Sequence, residues 1–117
     1  MKIQLQEDQW RLRLDEDELA ALCVGDTIAC RSRLPRGLSI SFFLHAHDHA
    51  EATVRGESDG WHMAVPCAPV VELQSRLPDR DGLSFDLVHD PAVDFRLLLQ
   101  VDVHDSKRRR RAASAAA

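Results

Sequence analysis

The chain has no tyrosine, only three cysteines, and no apolar run approaching the ~20 residues that a membrane-spanning helix requires. The missing run argues against a helical membrane protein. The opening residues, MKIQLQEDQW, carry no hydrophobic signal region, so a cytoplasmic protein is expected. Cys23, Cys30 and Cys67 are odd in number and form no CxxC pair, which argues against a disulfide framework and for reduced, mostly buried thiols. There is no GxSxG, no glycine-rich phosphate loop and no identifiable partner for Cys67, so no nucleophilic constellation stands out. The balance of these absences favours a binding module over an enzyme.

What is present is charge, and it is unevenly placed. The net charge of -4 conceals a basic run, Lys107 to Arg111, which holds five of the fifteen Lys and Arg residues. Residues 1–106 therefore carry ten basic against nineteen acidic side chains, a formal -9. An acidic body does not suit a nucleic-acid-binding domain, which gathers its cations on a folded face. Lys107, Arg108, Arg109, Arg110 and Arg111, with the alanine-rich residues after them, lack an apolar period. They read as a disordered tail over 106–117 that offers nucleic acid only non-specific, salt-sensitive contacts. The remaining 1–105 form one domain.

The pattern within that domain is mostly period two. Ile3 and Leu5, then Trp10, Leu12 and Leu14, predict a hairpin. At Asp15 the period changes: Asp15 with Glu18 predicts a capping box, Leu19, Leu22 and Cys23 a short apolar stripe, and Gly25 the helix stop. Strands follow over Thr27 to Leu34, Ser39 to Ala46 (Ile40, Phe42, Leu44 and Ala46 inward), Glu51 to Arg55, and Trp61 to Val65. Short connections suggest that these four form an antiparallel meander. A second short helix places Val70, Leu73 and Leu77 on one face, with Pro69 at its first position. Leu83, Phe85 and Leu87, then Phe95 to Val103, supply two more strands. The order ββ-α-ββββ-α-ββ predicts an α+β fold: a mainly antiparallel, curved sheet or partly closed barrel with two short helices and no internal repeat.

Three features carry chemical interest. His45-Ala46-His47-Asp48-His49 falls one residue short of the HxHxDH motif of metallo-β-lactamases, so that relationship is rejected. A separate metal site remains, in which His45, His47, His49 and Glu51 at one hairpin end hold Zn²⁺ or another divalent transition metal. In the meander register His62 lies roughly 13 Å from His45 and takes no part. The second feature is an arginine face: Arg11 and Arg13 on one strand and Arg31 and Arg33 on another gather at an anion site if those strands are neighbours. The third is the basic tail. The partners expected are another protein, a second copy of the chain, or nucleic acid through the tail alone, and no membrane.

Met1-Lys2-Ile3, Arg11-Leu12-Arg13-Leu14, the acidic cap, Glu18-Leu19 and the strand end Val65-Pro66 together resemble a family of small uncharacterised bacterial proteins opening MKI…RLRL…EL. The resemblance is specific over residues 1–25 and patternwise to about residue 100. It implies a bacterial cytoplasmic origin and a compact α+β fold, with no established activity attached.

Overall fold

The first helix begins and ends through chemistry visible in the chain. In the computed structural model, which describes residues 1–87 and 94–102, β1 (Lys2–Leu5) and β2 (Gln9–Leu14) form the opening hairpin, and α1 spans Glu16–Cys23. The Glu18 N–H donates to the Asp15 carboxylate at 2.7 Å, and the Asp15 N–H donates to the Glu18 carboxylate at 3.1 Å. This reciprocal pair satisfies two N–H groups that the first turn leaves unbonded. The chain's ammonium group also bonds to Glu18 and so ties the start of β1 to α1. At the other end Gly25 adopts φ +97°, while the Asp26 N–H reaches the Ala21 carbonyl at 3.0 Å, closing a Schellman turn.

The remaining elements are β3 (Ile28–Arg33), β4 (Ser39–His47), β5 (Thr53–Glu57), β6 (Gly60–Pro66), α2 (Cys67–Ser75), β7 (Leu83–Asp86) and β8 (Arg96–Val101). The α+β class with eight strands and two helices is as expected; the sheet arrangement is not. Among the described residues there is no closed barrel and no four-stranded meander. The strands form two four-stranded mixed sheets, ordered β1-β2-β8-β7 and β3-β4-β6-β5, each with a parallel pair at its centre. We call them sheet 1 and sheet 2. The second helix also starts earlier than expected, with Pro66 as its cap and Pro69 inside the first turn. The strand assignment beyond Val101, and the tail, lie outside the described residues.

In sheet 2 the chain leaves β4, crosses the end of β6, runs down β5 at the edge and returns through β6 in the middle. Composition explains why β6 takes the central place. Met63, Ala64, Val65 and Pro66 are all buried, whereas β5 is short and carries Arg55, Gly56 and Glu57 exposed, as suits an edge. Gly60 makes the β4–β6 approach close: at φ +144°, a Cβ there would lie 2.4 Å from the Ser41 carbonyl oxygen.

The two halves of the chain repeat one another. Hairpin, helix, hairpin (β1-β2-α1-β3-β4) recurs as β5-β6-α2-β7-β8, and exchanging the halves turns the order of sheet 1 into that of sheet 2 read backwards. Cross-strand pairs superpose at a constant offset of 51 residues through the helix: Ile3↔Leu12 with Val54↔Met63, and Leu5↔Trp10 with Gly56↔Trp61. Buried Leu19 and Leu22 of α1 then correspond to buried Val70 and Leu73 of α2. Beyond the helices the offset is 55, as Ile28↔Leu44 and Leu83↔Leu99 show. The chain is thus an internal duplication about an approximate two-fold axis, contrary to the expectation of no repeat. The equivalent tryptophans Trp10 and Trp61 meet edge to face, centroids 5.9 Å apart, and α1 packs on α2.

One core joins the two sheets and the helix pair. Leu12, Leu14, Leu97 and Leu99 from sheet 1 meet Phe42, Leu44, Met63 and Val65 from sheet 2, with Leu19, Leu22, Val70 and Leu73 from the helices. Cys23 and Cys30 pack at its margin, and all three cysteines are free. Burial pushes the Cys23 thiol up from its ordinary range, with nearby Cys67 adding to the effect, so Cys23 acts as a packing group. No helix among the described residues is long and apolar enough to cross a membrane.

Candidate functional site: a histidine-lined pocket

With the inner faces committed to the core, the outer faces of the sheets are left for function. Period-two alternation on β4 turns Phe42 and Leu44 inward and therefore Phe43, His45 and His47 outward. On β6 the same rule turns His62 and Ala64 outward, and on β5 Thr53 and Arg55. The registers put these residues side by side: Phe43 opposite His62 opposite Arg55, and His45 opposite Ala64 opposite Thr53. The crossover from β4 to β5 adds His49, Ala50 and Glu51 at the strand ends. The result is an open cavity of about 520 Å³ lined by His45, His47, His49, Glu51, Thr53, Arg55, His62 and Ala64. Four of the six histidines in the chain meet there.

Each imidazole is held differently. His62 stacks on Phe43 with centroids 4.8 Å apart, and its Nε2 lies 2.7 Å from the Asp59 carboxylate. That hydrogen bond holds the Asp59 carboxyl below its usual range. The His47 Nδ1 accepts from the His49 backbone N–H at 3.2 Å. His45 is pushed below its ordinary value, first by burial and then by His47, His62 and Arg55 nearby. It therefore presents a neutral ring with a free lone pair across the neutral pH range. Arg55 stands at the rim, paired with Glu57 at 2.7 Å.

Of the residues expected to form a metal site, His45, His47, His49 and Glu51 do line one pocket, but not through the hairpin contact imagined for them. His45 is opposite Ala64, not Glu51, because β6 separates β4 from β5. Two imidazoles sharing a tetrahedral ion have ring centroids about 5 Å apart, given nitrogen–metal distances near 2 Å. His47 and His49 stand at 5.0 Å, while His45 and His47 are at 6.4 Å. Among the described residues no three His, Cys, Asp or Glu side chains are grouped to hold a metal as they stand.

The exclusion of His62 is overturned. Its pairing with Arg55 holds, but β6 and not β5 adjoins β4, and in parallel, so His62 is diagonal to His45 instead of a long stretch of strand away. Thr53 and Ala64 were missed for the same reason. The signal that finds them is the Trp10/Trp61 repeat, which assigns β6 the central position that β2 holds.

The arginine face is divided. Arg11 and Arg13 lie on β2 in sheet 1, and Arg31 and Arg33 on β3 in sheet 2, so the four guanidiniums share no surface. Arg31 donates from Nε to the Ser41 hydroxyl at 3.1 Å and is accounted for locally. The basic run Lys107 to Arg111 lies outside the described residues. No family model, curated protein or solved structure matches the chain.

Proposed function

We propose that the protein is a small binding module and that its ligand site is the histidine pocket on the outer face of sheet 2. The observation that carries this reading is the convergence of four imidazoles, Glu51, Thr53 and Arg55 from three neighbouring strands and a crossover on one cavity. The cavity's size falls within the ~300–1,000 Å³ range of small-molecule sites. Its groups suit a polar ligand: neutral His45 and the Glu51 carboxylate accept hydrogen bonds, and Thr53 and Arg55 donate them. Screening a library of small polar fragments by ¹H–¹⁵N NMR tests the reading. Shifts clustered on His45, Thr53, His62 and Ala64 support it, whereas shifts scattered over the surface refute it.

A second reading is favoured by the 5.0 Å spacing of His47 and His49: the ligand is a divalent transition metal, for which imidazole is a suitable donor. Binding would require the His45 and His47 rings, 6.4 Å apart, to close by roughly 1.4 Å, and His47 to give up the His49 amide, whether it ligates through Nδ1 or moves its proton there and ligates through Nε2. Glu51 would supply the oxygen donor. Titration of untagged protein with ZnCl₂ by calorimetry decides this. Stoichiometric binding lost in His45→Ala/His47→Ala supports the metal reading. Heat absent in both proteins removes the metal and leaves the pocket to an organic ligand.

A further inference from the structure

The approximate two-fold axis that relates the halves of the chain also relates the outer faces of the two sheets. The place occupied in sheet 2 by Thr53, Arg55, His62 and Ala64 is occupied in sheet 1 by Lys2, Gln4, Arg11 and Arg13, in the same order and register. Sheet 1 has a depression of about 200 Å³ at that place, lined by Lys2, Ile3, Gln4, Arg11 and Arg13. The histidine pocket thus has a counterpart built from different side chains.

The charges of this counterpart are unusual for the molecule. Lys2 is directly opposite Arg13 across the β1–β2 pair, and Arg11 is two residues from Arg13 on the same face. Like charges directly opposite one another in a sheet repel, their Cβ atoms being only about 5 Å apart. None of the three forms an ion pair among the described residues. The other cation on this face, Arg96, is paired with Asp86 at 3.1 Å. Three uncompensated cations therefore stand together on a body that is formally -9 over residues 1–106. The Asp15, Glu18 and Asp102 carboxylates border a neighbouring hollow that Lys2 and Arg13 share, and of these Asp15 and Glu18 are committed to the helix cap and the chain's ammonium group.

Arg11 adds the decisive detail. Its Nε is buried, between neighbours Gln4 on β1 and Leu98 on β8, and has no hydrogen-bond partner. The protein covers that Nε, while the half-buried side chain lines the depression, so it is the terminal N–H groups of the fork that face a charged acceptor with several oxygens there. We infer that Lys2, Arg11 and Arg13 bind a phosphate group, free or as the monoester of a small metabolite, on the outer face of sheet 1. Arg11 supplies the planar fork, Lys2 and Arg13 supply charge from either side, and the Gln4 amide supplies a neutral donor. The seat is separate from the histidine pocket, so either can fail without the other.

The test is an NMR titration of the arginine Nε–H resonances of the full chain. Inorganic phosphate and glycerol phosphate form two arms, with sodium chloride at matched ionic strength as the control. Saturable shifts of the Arg11 Nε–H, with a dissociation constant of about 1 mM or tighter, are the expected result. The arm that saturates first identifies free phosphate or a monoester as the source. Arg11→Gln abolishes saturation read at the Arg13 Nε–H, Lys2→Gln weakens it by about tenfold, and Arg33→Gln, on β3 in the other sheet, leaves it unchanged. The pocket resonances of His45 and His62 report whether each variant is folded. Shifts that track ionic strength alike in phosphate and chloride overturn the inference. So does saturation that survives in folded Arg11→Gln, or an unchanged dissociation constant in folded Lys2→Gln. A further arm with a single-stranded oligonucleotide overturns it too if that probe alone binds, because the face is then a backbone-binding surface and not a phosphate seat.

Discussion

Trp10→Ala should be strongly destabilising, and its cost can be worked from the contacts. Trp10 belongs to sheet 1 but packs edge to face on Phe42 and Trp61 of sheet 2 and on Phe95, with centroids 5.7, 5.9 and 5.6 Å away. Truncating a well-buried tryptophan costs about 3–5 kcal/mol, and each aromatic pair contributes about 0.5–1.5 kcal/mol of that. Trp10 is only half-buried, so the lower part of the range applies, about 3 kcal/mol. That is a large share of a typical stability of about 5–15 kcal/mol. Urea unfolding followed by far-UV circular dichroism measures it without depending on tryptophan emission. Trp61→Ala provides the internal comparison: the two positions are equivalent in the repeat, but Trp61 is 44% exposed and should cost only about 1–2 kcal/mol. The double mutant should show a coupling of about 1 kcal/mol. A Trp10→Ala loss below about 1 kcal/mol, or no coupling, would refute the argument that this pair joins the sheets.

Gly60→Ala should cost about 3 kcal/mol or more, because the new methyl group meets the Ser41 carbonyl as well as the unfavourable φ. Gly25→Ala, with nothing within 4 Å, should cost only about 1 kcal/mol, and chemical denaturation compares the two. Asp15→Ala removes the carboxylate that accepts the Glu18 N–H but keeps the Asp15 backbone N–H that donates to Glu18, and should lower stability by about 1 kcal/mol, measured in the same way. For His45 the folded protein favours the neutral ring, so below the ordinary value of 6.5 the unfolded chain binds the proton first. The His45 contribution is complete above that value and is lost as the pH falls from it toward the folded midpoint. A ¹H NMR titration should place the His45 midpoint below 6.5, and a midpoint at or above it contradicts the arrangement of burial, His47, His62 and Arg55 described for the pocket.

The elements were legible because their causes are local. Alternation at Trp10, Leu12 and Leu14 marks β2, the change of period at Asp15 marks the cap, and Gly25 marks the stop; each is settled within a few residues. Strand order was not legible in the same way, since hydrogen bonding across a sheet does not depend on chain neighbours. Short connections favour a meander, but here the 48–52 link passes over β6, and burial of Ala64 and Pro66 decides which strand sits inside. That one exchange moves His62 into the pocket, while the division into two sheets separates the two arginine pairs. The repeat was concealed because equivalent positions keep size and polarity more than identity: Leu12 becomes Met63, Leu19 becomes Val70 and Leu14 becomes Val65, while Trp10/Trp61 and Leu22/Leu73 alone stay the same among the core positions of that segment.

Duplication gives the divergence of the two faces a physical reading. Core positions of a repeat are constrained twice, by their own half and by the half they pack against, so Leu12 and Met63 or Leu22 and Leu73 can change little in volume without opening a cavity. Outer-face positions carry no such constraint, and there the equivalents differ in charge: Lys2 against Thr53, Gln4 against Arg55, Arg11 against His62, Arg13 against Ala64. Residues with the most freedom to become ordinary solvated side chains have instead concentrated the pocket's four imidazoles on one sheet and three unpaired cations on the other. Arg11 and Arg13 are also the residues of β2 whose inward neighbours, Leu12 and Leu14, are fully buried. Their strand cannot shift to relieve the repulsion from Lys2 without turning those leucines out to water. The register is thus enforced by the core, and the charge cluster is held in place on its outer side for an anion to neutralise.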